Sequence, residues 1–319
     1  MAILELAGAY ILDLVLGDPR NAPHPVRWIG GLIGRMERGI RKVVSGERME
    51  KIAGVVLLAV IVGGTYYVAW LTLKAAAVSW IIEAVVVVYL AYTALATRSL
   101  ADEAMAIYRL LAAENLPEAR QRLSWIVGRD TGSLDEAEIV RATVETVAEN
   151  ASDGVGAPLF YLALGGVPLA LAYKAVNTLD SMVGYKNERY RNLGWASARF
   201  DDLANYVPAR LTALALVASA FVLRKDTAGA WRIFRRDRKN HPSPNSGCPE
   251  AAMAGALGVR IGGLSHYGGG ASHKPLIGDA EKPLTRETIR EGVAMLYSAS
   301  FFMFLLAAAL MFLLGKGLF

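Results

Sequence analysis

The sequence has a single cysteine in 319 residues, which excludes a disulfide framework and any Cys-rich zinc or iron–sulfur site. Charge is scarce as well. Only 20% of residues are charged, and the formal net charge is 34 − 29 = +5. A chain so poor in charge and low-complexity runs does not read as disordered. Its basic residues flank apolar spans and do not line one soluble face, so no nucleic-acid partner is expected. Neither the P-loop pattern nor GxGxxG occurs, which excludes the familiar nucleotide folds. No alternating strand pattern with hairpin turns is found. Internal repeats and Pro-rich or Ser-rich linkers are missing too.

What the chain has instead is apolar length. Hydrophobic residues make up 54%, and the mean hydropathy is +0.33. Soluble enzymes of this size rarely have a positive mean hydropathy. Two uncharged runs, 52–73 and 293–314, are 22 residues each. At 1.5 Å per residue each spans about 33 Å, enough for a hydrocarbon core of about 30 Å. Segment 75–96 is also apolar but carries Glu83, and only Lys74 separates it from the preceding span, so the two must form a tight hairpin. Three weaker segments follow. Segment 3–17 carries Glu5 and Asp13, 157–173 contains Gly165, Gly166 and Pro168, and 203–223 contains Pro208 and Arg210. Each of the three also reads as a buried or interfacial helix. A cleaved signal peptide is not expected, because Glu5 stands where a basic region would be.

Lys and Arg set the expected topology. Segment 18–51 carries eight of them and 224–290 carries twelve, so both are expected in the cytoplasm. That requires an even number of crossings between Arg98 and Arg224. Segments 157–173 and 203–223 satisfy it either as two full crossings or as two re-entrant pieces. The expected fold is therefore all-α: one polytopic membrane helical bundle over 1–319, with a cytoplasmic helical insertion at 98–153 and a cytoplasmic loop region at 224–292. Within the insertion, Ser133 to Glu136 reads as a capping box with Ser133 at the N-cap. Val140, Val144 and Val147 form a buried stripe, with Glu138, Arg141, Glu145 and Glu149 on another face. Residues 150–154 are expected to end that helix.

Five polar constellations stand out. The first is Asp13 with Gly17-Asp18-Pro19 and Pro23-His24-Pro25-Val26-Arg27. Gly-Asp-Pro also serves as plain helix termination. His24 and Arg27 between prolines suit a phosphate or carboxylate. The second is Glu145, Glu149, Asn150 and Asp153. Two carboxylates at i and i+4 share a face, and hard oxygen ligands suit Mg²⁺; a solvated acidic face has the same pattern. The third runs from Tyr173 to Arg210 through Asn177, Asp180, Tyr185, Lys186, Arg189, Asp201, Asp202 and Asn205. Asn177 and Asp180 between apolar neighbours demand partners. The fourth is Asn240-His241-Pro242-Ser243-Pro244-Asn245-Ser246-Gly247 before Pro249-Glu250. With Pro249 at N1, the free N–H groups there form either an anion site or a bare cap. The fifth, Gly262-Gly263 and Tyr267 to Gly270 with Lys274-Pro275 and Gly278-Asp279, reads as a glycine-rich mobile loop able to close over phosphates. His266 and His273 read as surface histidines, and Cys248 as inert.

Taken together these motifs resemble the membrane-bound adenosylcobinamide-phosphate synthase family of cobalamin biosynthesis. The resembling residues are 13–30 (DLVLGDPRNAPHPVRWIG), 145–161 (ETVAENASDGVGAPLFY), 173–191 (YKAVNTLDSMVGYKNERYR), 201–210 (DDLANYVPAR) and 240–258 (NHPSPNSGCPEAAMAGALG). They cover nearly the whole chain in the same order. It departs at the glycine loop, where Ser265-His266 precede Tyr267. The resemblance implies joining adenosylcobyric acid to aminopropanol, usually as its O-phosphate, in a multi-pass cell-membrane enzyme. ATP and Mg²⁺ are implied with it, and the active site is expected to face the cytoplasm. No Ser, Cys or Lys has the surroundings of a covalent nucleophile, so attack of the corrinoid carboxylate on ATP to give an acyl phosphate is expected.

Roles are then assigned by chemistry. Glu145, Glu149, Asp153 and Asp202 are the expected catalytic acids, with Glu149, Asp153, Asp201 and Asp202 as metal ligands. Phosphate or nucleotide contacts fall to His24, Arg27, Lys186, Arg189, Asn245, Ser246 and Gly247. Asn177, Asp180, Tyr185, Asn205 and Tyr267 are assigned to substrate. Two other readings compete. A polytopic Mg-dependent prenyltransferase would use Asp201-Asp202 but has no need of the 240–247 loop. A transporter of a corrinoid or phosphorylated solute would suit broken segments such as 157–173, but no related halves are seen.

Overall fold

The computed structural model describes residues 1–18, 23–185, 187–267 and 269–317. The elements run α1 (Ile3–Leu16), α2 (Pro25–Val43), α3 (Glu47–Ala76), α4 (Trp80–Tyr92), α5 (Thr97–Ala112), α6 (Leu116–Leu123) and α7 (Glu136–Asn150). A π-helical turn (Ala151–Gly156) leads into α8 (Ala157–Val183), α9 (Trp195–Ala204), α10 (Tyr206–Val222), α11 (Thr227–Asp237) and α12 (Gly247–Leu257). Strands β1 (Ile261–Tyr267) and β2 (Gly270–Ile277) precede α13 (Arg286–Leu313). The chain divides into two compact units. The first holds Met1–Ala96, Ala157–Asn205 and Leu305–Phe319; the second holds Thr97–Gly156 and Tyr206–Phe304.

Among the described residues, four helical stretches are long and apolar enough to cross a bilayer: Glu47–Ala76, Trp80–Ala112, Glu136–Val183 and Arg286–Leu313. A fifth arises if α9 and α10, bent by 47° at their join, form one broken span. This is a multi-pass helical membrane protein. Only 22% of the apolar window of Glu47–Ala76 is buried within the protein, so most of that helix presents apolar side chains outward, as a lipid-facing helix does. The hairpin expected around Lys74 is present, with α3 ending at Ala76 and α4 starting at Trp80.

In the first unit, α2 packs on α3 and α8. Ile29, Ile33, Leu57, Ile61, Ala175, Leu179 and Val183 form one buried cluster. Lipid tails are as apolar as leucine, so such helices associate through close packing and small residues. Gly54 of α3 shows this: a side chain there would collide with the Leu193 carbonyl. Within the Lys/Arg-rich segment 18–51, α2 packs along α3. Ile29 packs in one cluster with Ile61, well inside the apolar length of α3, and Trp28 and Leu32 are exposed beside it.

Helix α8 is a hairpin. Gly166 has φ 68° and ψ −160°, a conformation open to glycine, and the chain turns back there. The Tyr161 and Tyr173 rings stack with centroids 5.0 Å apart. A straight helix would separate those residues by about 18 Å along its axis. Segment 157–173 therefore folds back on itself. The Lys316 ammonium donates to the carbonyls of Ala163 (2.7 Å) and Leu164 (3.2 Å) at the tip, where a helix leaves carbonyls unanswered.

In the second unit, three sequence expectations are corrected. The α7 cap is Asp135, whose carboxylate accepts from the Glu138 N–H at 2.8 Å while Glu138 accepts from the Asp135 N–H at 3.0 Å. The box read at Ser133 is thus present two residues later, because Asp135 takes the extended N-cap conformation. Residues 150–154 do not end the helix; they widen into the π turn, a form frequent at functional sites. Strands β1 and β2 pair antiparallel where an irregular loop was expected, with Gly263 opposite Lys274 and Ser265 opposite Ser272. Gly262 and Gly263, both at φ 85°, sit at the register irregularity, and this hides the strand period. Val140, Val144 and Val147 are buried as expected, and Glu145, on another face of the helix, is buried too. Helices α11 and α12 touch backbone to backbone at Gly229 and Gly255.

Candidate active site

The second unit gathers charge around α7, α12 and the β hairpin. Glu145 is 4% exposed. Its Oε1 accepts from the Gly262 N–H at 2.8 Å, and its Oε2 accepts from the Arg129 guanidinium. One turn on, Glu149 Oε1 accepts from the Ser246 hydroxyl at 2.8 Å. Arg141 holds the hairpin from the same helix, donating to the Gly262 carbonyl and to the Leu264 carbonyl at 2.8 Å. The Gly269 N–H donates to Asp130 at 2.8 Å, so the 129–130 loop fastens the hairpin's other end.

His241 lies at the centre of a second set of contacts. Its Nδ1 accepts from the Ser243 N–H at 3.0 Å. A neutral ring must then carry its proton on Nε2. That nitrogen is 3.3 Å from Lys274 Nζ and 3.7 Å from Glu250 Oε1. Burial, then the Lys274 ammonium, holds the His241 pKa below the ordinary histidine value. Glu250 is fully buried on α12. Its removal from water, then the Glu145 and Glu149 carboxylates, pushes its pKa well up. The cluster thus offers two cations, Arg129 and Lys274, an imidazole with a defined tautomer, and a carboxyl biased toward its protonated form. Such pairings of titratable groups pushed apart are the usual basis of acid–base chemistry.

The 240–247 loop is less open than its sequence suggests. Helix α12 begins at Gly247, so Pro249 is its third residue and not N1. The N–H groups of Asn245 and Ser246 donate to the Ser243 hydroxyl, each at 3.3 Å. Ser246 Oγ turns to Glu149, and Asn245 Oδ1 accepts from Arg210 at 3.4 Å. Gly247 is buried, and a side chain there would meet the Arg238 carbonyl and His241.

Of the residues singled out from sequence, the second unit holds Glu145, Glu149, Asp153, Asn245, Ser246, Gly247 and Tyr267. It brings Glu145, Glu149 and Ser246 to one cluster; Tyr267 is partly exposed at the end of β1. The first unit holds His24, Arg27, Asn177, Asp180, Tyr185, Arg189, Asp201, Asp202 and Asn205. There His24 and Arg27 both face Asp18, at 3.6 Å and 3.2 Å. Arg189 pairs with Glu37 at 3.0 Å, not with another residue of the assigned set. Tyr185 is exposed. Lys186 lies outside the described residues. Among those described, no group of three or more His, Cys, Asp or Glu is placed to hold a metal ion.

Sequence reasoning gave no role to Arg129, His241, Glu250 or Lys274. The signal for Arg129 was present in Gly128-Arg129-Asp130-Thr131-Gly132, an ion pair of residue types bracketed by glycines. His241 and Glu250 bound the 240–250 motif, but only the folded contacts show that they face each other.

Residues 6–296 match the CobD/Cbib protein family. A "Cobalamin biosynthesis protein CobD" of Geobacter metallireducens is 53% identical over 303 residues, covering 95% of this chain and 94% of that protein. One of the same name from Klebsiella pneumoniae is 50% identical over 305 residues, with 94% of each chain covered. The "Cobalamin biosynthesis protein CbiB" of Salmonella typhimurium is 49% identical over 305 residues, again with 94% of each chain covered. No solved structure matches. The chain belongs to the CobD/CbiB family of cobalamin biosynthesis proteins.

Proposed function

We propose that this protein is an adenosylcobinamide-phosphate synthase, joining adenosylcobyric acid to aminopropanol O-phosphate with ATP. The observation that carries the reading is the buried cluster of Glu145, Glu149, His241 and Glu250 with Arg129 and Lys274. An amide cannot form from a free carboxylate and an amine at useful rates without an activated carbonyl. The corrinoid carboxylate oxygen attacks the γ-phosphorus of ATP in line, forming an acyl phosphate and releasing ADP. The amine nitrogen then attacks the acyl carbon, the phosphate leaves, and the amine proton passes to a base.

In this reading Lys274 and Arg129 answer the phosphate charge, and the Gly262 N–H and Arg129 hold Glu145 still. His241, neutral near pH 7 with Nδ1 taken by the Ser243 N–H, directs its Nε2–H toward the Glu250 carboxyl 3.7 Å away. Preorganised groups of this kind supply rate through positioning and electrostatics. Mg²⁺ fits only in one form: no three carboxylates converge among the described residues, but an ion held mainly by nucleotide phosphates and water needs only one or two carboxylates, and Glu149 with Glu145 provides them. When bound, the ion neutralises phosphate charge. The need for ATP and the Lys/Arg-rich segment 224–290 favour the cytoplasmic side of the cell membrane for this cluster.

The test is reconstitution in nanodiscs with adenosylcobyric acid, aminopropanol O-phosphate and MgATP. Corrinoid product by mass spectrometry, with ADP formed only when both substrates are present, is expected. Condensation without nucleotide, or nucleotide hydrolysis indifferent to the amine, overturns the reading. A prenyltransferase or a transporter would give neither the product nor substrate-dependent ADP.

A further inference from the structure

In the first unit, α2, α3 and α4 leave an apolar cavity of about 600 Å³ between them, with Leu171 of α8 in its wall. Helix α2 covers only part of α3. Ile29 and Ile33 pack with Leu57 and Ile61, and α2 begins at Pro25. The cavity continues that groove along α3 from Val60 to Thr72, under the first turn of α2. Val86, Tyr89 and Leu90 of α4 form its other side. No described lining residue is charged. The Thr72 hydroxyl donates to the Val68 carbonyl at 2.9 Å, and the Tyr89 hydroxyl donates to the Pro23 carbonyl at 2.5 Å, so both are spent within the protein.

Water is a poor occupant for such a space, because each buried molecule needs about 2–4 polar partners. A void is poor too, because every wall atom then forfeits its dispersion contacts. An apolar occupant meets both conditions, and depth says which one. The uncharged run of α3 is 52–73, between Lys51 and Lys74. From Val60 to Thr72 the lining spans about 18 Å of helix. One leaflet of hydrocarbon is about 15 Å thick. The lining lies in the half of the run nearer Lys74. At that end Lys74 Nζ is 5.8 Å from the centre of the Trp70 ring, and Trp80 is 79% exposed. Tryptophan and lysine at the end of a span mark headgroup level.

We propose that this cavity holds one acyl chain of a phospholipid from that leaflet, with the phosphate near Lys74 and the terminal methyl under Pro25 and Trp28. A helix of a second copy is about 10–12 Å across and would fill well over 1,000 Å³ in the same length, so the cavity admits no helix. Leu171 is 3% exposed and belongs to the returning limb of the α8 hairpin. The acyl chain therefore packs against that limb as well as between α3 and α4. It completes the core of the first unit, whereas lipid on the outer face of α3 only coats it. The proposal is independent of the reaction assigned to the second unit.

The experiment reconstitutes the full chain in nanodiscs of palmitoyl-oleoyl phosphatidylglycerol, a fraction of it carrying a diazirine on one acyl chain. After irradiation, peptide mapping should find adducts on Leu171 and Ala69, both almost fully buried and reached only through the cavity. Adducts confined to outward residues such as Tyr67, which is exposed, overturn the proposal, and that result needs no variant to fold. A second measurement uses two glycines of α3. A side chain at Gly64 or at Gly63 meets nothing within 4 Å, but only Gly64 lines the cavity. Gly64→Phe should lower the phospholipid retained per chain, read by native mass spectrometry after detergent purification, by about tenfold or more. Excluding even two methylenes from an apolar site costs a factor of about that size. Gly63→Phe should retain the lipid as the wild type does. Equal retention by the two variants overturns the proposal. So does a wild-type dimer without bound lipid that Gly64→Phe dissociates, which would give the cavity to a second copy.

Discussion

The two units handle buried charge in opposite ways. In the second, Glu145 is answered on both oxygens, by Arg129 and the Gly262 N–H, and Glu149 is answered by Ser246. In the first, Asp201 is answered on Oδ2 alone, and Oδ1 has no partner. A fully satisfied buried network rigidifies a site before any ligand arrives. A partly satisfied one is strained until something completes it. The comparison teaches that the second unit fixes its buried carboxylates before any ligand arrives, while Asp201 in the first is fixed at one oxygen.

The strongest way to break this comparison is to remove one partner of the satisfied network. Glu145→Ala leaves Arg129 buried without its counter-charge, an effect of about 3–5 kcal/mol, and the protein should fail to give a monodisperse peak in detergent. The pair Glu145→Leu with Arg129→Met removes both charges and should restore the peak while activity stays lost. If the single variant is as stable as the wild type, the network is not what orders the second unit.

In the first unit the corresponding weak point is backbone. Gly166→Ala puts a side chain at φ 68° and ψ −160°, which costs about 1–3 kcal/mol. Thermal unfolding in detergent should shift down. An unchanged melting point would mean that the fold-back at Gly166 is not needed.

A third test uses pH and stays within the second unit. His241 has a folded pKa below its unfolded value. Its contribution to stability is therefore present above the ordinary histidine pKa of about 6.5 and is lost as pH falls through and below that value. Glu250 has the opposite sign. Its folded pKa lies well above its unfolded value, so stability is lost as pH rises from about 4.3 toward the folded pKa. His241→Asn should flatten the acid limb of a stability–pH curve. Glu250→Gln should flatten the other limb and raise stability at pH 7, by an amount on the order of 1 kcal/mol per pKa unit relieved. A curve unchanged in both variants would deny the buried pair any role.

The sequence made the helical membrane class legible because apolar length is a local property. Runs 52–73 and 293–314 state their length outright, and α3 and α13 contain them to within a residue. Other features depend on distant contacts. The fold-back of 157–173 was one of two open readings, since glycine and proline mark a break but not its direction. The β hairpin was missed because Gly262 and Gly263 interrupt the alternation, and its register is held by Arg141 and Glu145, more than 100 residues earlier in the sequence. Glu145 was set on a face apart from the buried valines because helical spacing reports which residues share a side, not how many sides are covered. Glu145, Glu149, His241, Glu250 and Lys274 all stood in motifs of the sequence. Arg129 did not, since a lone cation acquires meaning only from the carboxylate it meets.

The smallest expected effect concerns the tip of the α8 hairpin. The first limb ends near Leu164, where its last carbonyls have no helical partners. Lys316 supplies one ammonium to two of them, at 2.7 Å and 3.2 Å. That is a favourable place for a cation, since the carboxyl end of a helix carries partial negative charge. Lys316→Met keeps most of the apolar stem and removes only the ammonium. The loss should be about 0.5–1.5 kcal/mol, the net value of an ordinary hydrogen bond, because lipid headgroups and water can reach the tip. Lys316→Arg retains the charge and a set of donors, and should recover most of the loss. The readout is the unfolding midpoint of the whole chain. A drop as large as that of Gly166→Ala would show that the fold-back depends on the ammonium at least as much as on the glycine. No change would show that the hairpin closes without the ammonium.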